Sequence, residues 1–244
     1  MTLMVESVGF SGTHFCAGVI NSIPKHIAFH ATRNPYKQTD IGIYDLPPNE
    51  FVEALIEIAN TSRKKIVSIH SLMSTDIKNY CEKRGVSYKG LIRDPRNKIE
   101  SCFAWYIDKF NNGRFIEAVD NLLNDPKYNN KVKNKWEALY IFAIRNIVSY
   151  DLSFLQTKGL RIGKIEELSK SPKMFKEFFE LECDENQISK ALKENSVSIK
   201  ISHKNKMKNI LSNIKIDRNY LVSLVMQTSL NHLAYAFGYK SNLN

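Results

Sequence analysis

Three short stretches carry residue types at spacings suited to chemistry on an anionic ligand. The first is Arg93-Asp94-Pro95, with Ser101 eight residues beyond the arginine. A guanidinium meets phosphate oxygens through paired N–H donors, and a serine hydroxyl two turns into the next helix adds another donor. The second is Gly9-Phe10-Ser11-Gly12-Thr13-His14, directly after the apolar run Leu3 to Val8. A strand, a glycine turn and a helix start arrange backbone N–H groups to cradle phosphate. It is not a Walker A loop, because GxxxxGK[ST] is absent and no lysine closes it. The third is His70, in Ser68-Ile69-His70-Ser71-Leu72, at the end of an apolar strand. A neutral imidazole there suits a general base near pH 7. Each stretch also has a plainer reading: strand-end arginines and histidines are common solvated groups, and Ser-Gly-Thr alone is a weak signal.

Periodicity supplies the elements that must position them. The chain reads as strands at Leu3–Val8, Ile27–Phe29, Lys65–His70, Val86–Ile92 and Leu160–Ile165. Helices are expected at Thr13–Ser22, Thr75–Arg84 and, capped by Asn49, through Thr61. Asp94 caps the next helix and Pro95 opens it, where a missing N–H costs nothing. Ile99, Phe103, Ile107 and Phe110 make its apolar stripe, and Ser101 lies about 200° around from that stripe, facing away from the core. Further helices are expected at Phe115–Leu123, Lys135–Leu155, Ser171–Glu180, Gln187–Glu194 and Arg218–Phe237. Arg33–Pro48 and the lysine-rich Ser198–Asn209 read as loops. Strand–helix alternation predicts an α/β fold with a central parallel sheet. Ligands of such sheets sit beyond the carboxyl ends of the strands, where Gly9–His14, His70 and Arg93 all fall.

Composition is that of an ordinary globular protein, with 43% hydrophobic and 25% charged residues. The net charge of +10 suits a polyanionic ligand and equally suits a lysine-rich background. Cys16, Cys81, Cys102 and Cys183 show neither a CxxC pair nor zinc spacing and read as reduced thiols. None of the six histidines has partners at a ligand spacing, so no metal is expected. No apolar run reads as a membrane span and no secretory signal precedes the first strand, so a cytoplasmic protein is expected, with no membrane or nucleic-acid partner. The expectation is one domain over 1–244, with a helical insert at about 111–157 and a helical C-terminal part at about 166–244.

With the elements placed, the chain resembles the sulfotransferases that use 3′-phosphoadenosine 5′-phosphosulfate. In that family the first βα turn reads roughly Pro-(Lys/Arg)-Ser-Gly-Thr-Thr and holds the 5′-phosphosulfate; Ser11, Gly12 and Thr13 match it. A later junction carries arginine, Asp/Asn-Pro, and a serine eight residues on, the arginine and serine holding the 3′-phosphate; Arg93, Asp94, Pro95 and Ser101 match. His70 falls where the family's general base stands. Ile165-Glu166-Glu167-Leu168 with Ser171-Pro172 looks like its Tyr-Glu-Asp-Leu segment, and Phe237-Gly238-Tyr239 like its C-terminal ending. The resemblance implies a P-loop NTPase-like sulfotransferase fold and sulfuryl transfer to a hydroxyl or amine of a small molecule or glycan, with adenosine 3′,5′-bisphosphate as product.

The departures are specific. Phe10 stands where the family's loop cation neutralises the leaving phosphate, and His14 replaces the second threonine, so His14 is both a cofactor-binding and a catalytic candidate. Ser68 replaces the lysine before the base, and the family's Arg-Lys-Gly loop is not recognisable. Trp105, Trp136 and Phe175–Phe179 are core or acceptor-pocket residues. Two other classes stay open: a P-loop-type phosphoryl-transfer enzyme, and a non-catalytic relative that binds nucleotide or anionic glycan. Acceptor specificity is expected in Thr32–Pro48, Asn111–Asn134 and the Lys200 region.

Overall fold

Short apolar runs closed by turns build five strands: β1 (Thr2–Glu6), β2 (His26–His30), β3 (Lys65–His70), β4 (Ser87–Ile92) and β5 (Arg161–Lys164). All neighbours pair in parallel, in the order β2-β3-β1-β4-β5. This computed structural model describes residues 2–7, 9–30, 47–70, 75–128, 130–225 and 227–240, without the side chains of 70, 75, 76, 197–208 and 227–229. The expected loop Arg33–Pro48 lies outside the described residues up to position 46. Tertiary contacts divide the chain into two units, Met1–Arg93 with Thr157–Lys200, and Asp94–Gln156 with Ile201–Asn244.

The first unit holds the sheet, buried on both faces as a parallel sheet must be. Side chains alternate between the faces with a period of two. Leu3, Val5, Ala28, Val67, Ile69 and Leu91 face α1 (Thr13–Asn21), α8 (Pro172–Phe179) and the start of α9 (Glu185–Leu211). Met4, Ile27, Phe29 and Ile66 face α2 (Pro48–Ser62) and α3 (Thr75–Lys83). Phe29, Phe51, Phe175 and Phe179 are fully buried; a side chain of that kind contributes roughly 1.5–3 kcal/mol on leaving water. The expected Phe175–Phe179 cluster is therefore core. The helix expected to be capped by Asn49 starts two residues earlier, with Pro47 at the cap and Pro48 as the first helical residue.

The second unit is helical: α4 (Pro95–Asn111), α5 (Ile116–Leu123), α6 (Lys135–Gln156), α10 (Arg218–Val225) and α11 (Gln227–Ala236), with the latter part of α9. Asp94 caps α4 as expected, its carboxylate accepting the Arg96 N–H at 3.0 Å. The expectation that Ser101 faces outward is not met: Ser101 is only 8% exposed. One apolar stripe does not describe α4, because both α6 and α11 pack on it. Lys98, on the same helix, is buried with both Asp151 oxygens within 2.8 Å of its ammonium. Asp151 sits on α6, so an ion pair pins the two long helices together.

Three further expectations change. The lysine-rich stretch Ser198–Asn209 is helix, not loop: Glu185 to Leu211 contains no glycine or proline, and lysine is a good helix former. The last expected helix is described as α10 and α11, with Met226 outside the described residues. No membrane-length apolar run was expected, yet among the described residues α6 is long and apolar enough by length and composition. Over half of that stretch (56%) is buried inside the protein, the burial of a core helix.

β5 runs into α7 (Ile165–Leu168), and Ser171 caps α8 through the Met174 N–H at 3.2 Å. Gly238, at φ 73°, closes α11, with the Tyr239 N–H returning to the Ala234 carbonyl at 2.9 Å. Ser171-Pro172 and Phe237-Gly238-Tyr239 thus each have a local capping role.

Candidate functional site

Strand order brings together residues that the chain keeps far apart. β1 leads through α1 to β2 on one side of the sheet, while β3 leads through α3 to β4 on the other. The connections leaving β1 and β3 therefore run to opposite sides of the sheet, and the crevice of a parallel sheet opens where the strand order reverses in this way. β1 and β4 are neighbours, with Glu6 in register with Gly90. The loop after β1 and Arg93 after β4 both leave the sheet at that carboxyl edge.

The loop is built for a tight approach. Gly9, Phe10 and Gly12 all have positive φ (81°, 55° and 77°). Glycine adopts this region freely, whereas a bulky side chain rarely does, so Phe10 is held in a strained conformation. At Gly12 a side chain is excluded twice over: its φ disfavours one, and a Cβ there would lie 2.7 Å from Ile165 Cγ1. Gly12 is the N-cap residue of α1, and among the described residues no side chain caps that helix start. The first-turn N–H groups of α1 thus have no competing side-chain acceptor at the cap, the arrangement that suits an anion.

The expected site residues divide into three groups. Arg93 comes to the loop: Nη1 lies 3.5 Å from the Phe10 carbonyl oxygen, a long contact spanning 83 residues of sequence. Ser11, Thr13 and His14 are on the loop and α1, but the two hydroxyls are already engaged. Ser11 Oγ, fully buried, donates to the Gly9 carbonyl at 3.2 Å. Thr13 Oγ1, also buried, lies 2.6 Å from His30 Nε2. Ser101 belongs to the second unit. His70 ends β3 in register with Glu6, and its side chain lies outside the described residues.

Comparison with family models, with curated proteins and with solved structures finds no match.

His30 is the residue that sequence reading missed. It ends β2, is 8% exposed, bonds Thr13 and stacks on the exposed His14 with ring centroids 3.9 Å apart. The strand His26-Ile27-Ala28-Phe29-His30 did carry the signal: a period of two puts both histidines on the α1 face, and His30 at the carboxyl edge. Glu6, the last residue of β1, is a second omission. It is buried and accepts the Tyr88 hydroxyl at 2.8 Å. Burial, with the Glu6 charge, pushes that phenol well above its ordinary range, so Tyr88 stays the donor.

The edge therefore offers backbone N–H groups, a guanidinium and two stacked imidazoles around one glycine loop. Such a set holds a phosphate or sulfate oxyanion without a metal ion. The thiols add nothing nucleophilic: burial pushes Cys81 and Cys102 up to about 12.

Proposed function

We propose that the protein is a sulfotransferase that moves a sulfuryl group from 3′-phosphoadenosine 5′-phosphosulfate to a hydroxyl or amine of a small molecule or glycan. The supporting observation is the approach of Arg93 to the Phe10 carbonyl, which joins the two motifs of the resemblance at one crevice. The loop and the donor's 5′ end suit one another, since an uncapped helix start and a left-handed glycine turn face an anion well. In this reading the N–H groups of residues 11 to 14 hold the phosphosulfate and Arg93 holds the 3′-phosphate. Ser101's share in that phosphate rests on its spacing from Arg93 alone.

The bound donor supplies the sulfuryl group and a leaving bisphosphate. His70 takes the proton from the acceptor hydroxyl or amine as that atom attacks sulfur. The charge that a loop lysine or arginine supplies elsewhere comes here from His30 and His14. A protonated His30 donates from Nε2 to Thr13 Oγ1, which frees the threonine hydroxyl to donate to the ligand.

One observation favours a second reading. Phe10, at the position of the missing cation, suits a non-catalytic relative that binds nucleotide or anionic glycan. A turnover assay with labelled donor against alcohols, sugars and amines separates the two. Sulfate transfer that is lost in His70→Ala, with adenosine 3′,5′-bisphosphate binding kept, supports the enzyme. Binding without transfer to any acceptor class supports the relative.

A further inference from the structure

At the opposite, amino edge of the sheet the first unit carries a second concentration of positive charge. The turns leading into β2 and β3 lie side by side, the Lys65 N–H donating to the Lys25 carbonyl at 2.9 Å. Between them opens a cavity of about 260 Å³ walled by Lys25, His26, Arg63, Lys64, Lys65 and Glu182. His26 stiffens this wall. Its Nδ1 lies 2.8 Å from the Pro24 carbonyl oxygen and its Nε2 3.0 Å from the Glu182 amide nitrogen. A carbonyl only accepts and an amide N–H only donates, so Nδ1 carries the proton and both ring nitrogens are used.

Behind the wall the charges do not balance. Lys65 and Lys89 both reach Glu180, at 3.1 and 2.8 Å, with side-chain exposures of 3% and 7%. Two buried ammonium groups thus share one carboxylate. Lys89 also donates to the Phe178 carbonyl at 2.6 Å, and burial holds it below the ordinary lysine range. Excess charge out of water is costly unless an opposite charge comes near. Lys25, Arg63 and Lys64 add three exposed cations at the cavity mouth, against Glu182 as its carboxylate. Lys25 and Arg63 hold left-handed backbone, with φ of 63° and 53°.

We propose that this cavity binds a tetrahedral oxyanion, phosphate or sulfate, either as the free ion or as a monoester. The exposed cations draw the anion in, and its charge completes the neutralisation of the Lys65–Glu180–Lys89 cluster. The site stands apart from the glycine loop and does not depend on the function proposed for it.

The test is calorimetric titration of the full chain with inorganic phosphate, against chloride at matched ionic strength. It compares the wild type with the double variant Arg63→Asn/Lys64→Gln, both held with saturating adenosine 3′,5′-bisphosphate so that the glycine loop does not contribute. Asparagine tolerates the left-handed backbone at 63, and both residues are exposed, so the fold is kept. The expected result is a saturable site whose affinity falls about tenfold in the double variant, a loss near 1.4 kcal/mol. Glycerol 3-phosphate separates the sources: binding equal to or tighter than phosphate assigns the ester, and weaker binding assigns the free ion. A double variant that binds phosphate like the wild type overturns the proposal, as does a wild type that responds no more to phosphate than to chloride.

Discussion

Thr13 Oγ1 and His30 Nε2 lie 2.6 Å apart, joining the first residue of α1 to the last residue of β2. The hydroxyl assigned to the ligand is therefore governed by an imidazole, and its direction depends on which partner holds the proton. Neutral His30 with its proton on Nδ1 accepts from Thr13, turning the hydroxyl away from an anion. Protonated His30 reverses the bond and adds charge. The exposed His14 ring stacks on the other side of His30, with centroids 3.9 Å apart.

His30→Gln is therefore expected to weaken adenosine 3′,5′-bisphosphate binding by about 1 kcal/mol, the net worth of one hydrogen bond, and His14→Asn by less, because that ring is exposed. Calorimetric titration of the two variants beside the wild type reads this directly. An affinity unchanged in His30→Gln would remove the imidazole from ligand binding.

Glu180 contributes to the acid sensitivity of the first unit. Burial pushes its carboxyl up, but hydrogen bonds from Lys89, Ser87 and Lys65, with the Lys89 charge, outweigh this and leave it below the ordinary value of 4.5. A carboxyl lowered on folding stabilises the protein above its unfolded-state value, and that contribution is lost as pH falls through the lower folded value. Glu180→Gln should therefore cost about 2–4 kcal/mol at pH 7, somewhat less than a fully buried pair, by leaving two ammonium groups uncompensated. The variant should also lose part of the wild-type decline below pH 4.5. Denaturant titrations from pH 3 to pH 7 measure both.

The buried pair of α4 and α6 makes a sharper contrast. Lys98→Ala leaves the Asp151 carboxyl buried without its ion-pair partner, and should destabilise by about 3–5 kcal/mol. Replacing both, as Lys98→Met with Asp151→Leu, removes two desolvated charges together and should be neutral or stabilising. Thermal unfolding of the single and double variants decides it; equal losses in both would mean that the pair contributes more than its burial costs.

The strands were legible because a buried parallel strand is a short apolar run between turns, and Lys65–His70 is found with those bounds. The Asp94-Pro95 start of α4 was equally plain, since capping is local chemistry. Ser101 was misread because both α6 and α11 pack on α4, and no local period encodes a second packed face. The Ser198–Asn209 loop was misread through its polarity, although nothing in it breaks a helix. His30 escaped because its meaning lies in Thr13, 17 residues earlier, and only the parallel pairing of the sheet brings the two together.

The most direct test of the central claim is calorimetric titration with adenosine 3′,5′-bisphosphate, run beside ATP with magnesium. Saturable one-to-one binding of the bisphosphate is expected, with little response to ATP and a loss of about 1.5–3 kcal/mol in Arg93→Ala, the range of a charged hydrogen bond. Tight ATP binding with no bisphosphate binding, or an Arg93→Ala affinity equal to the wild type, would contradict it.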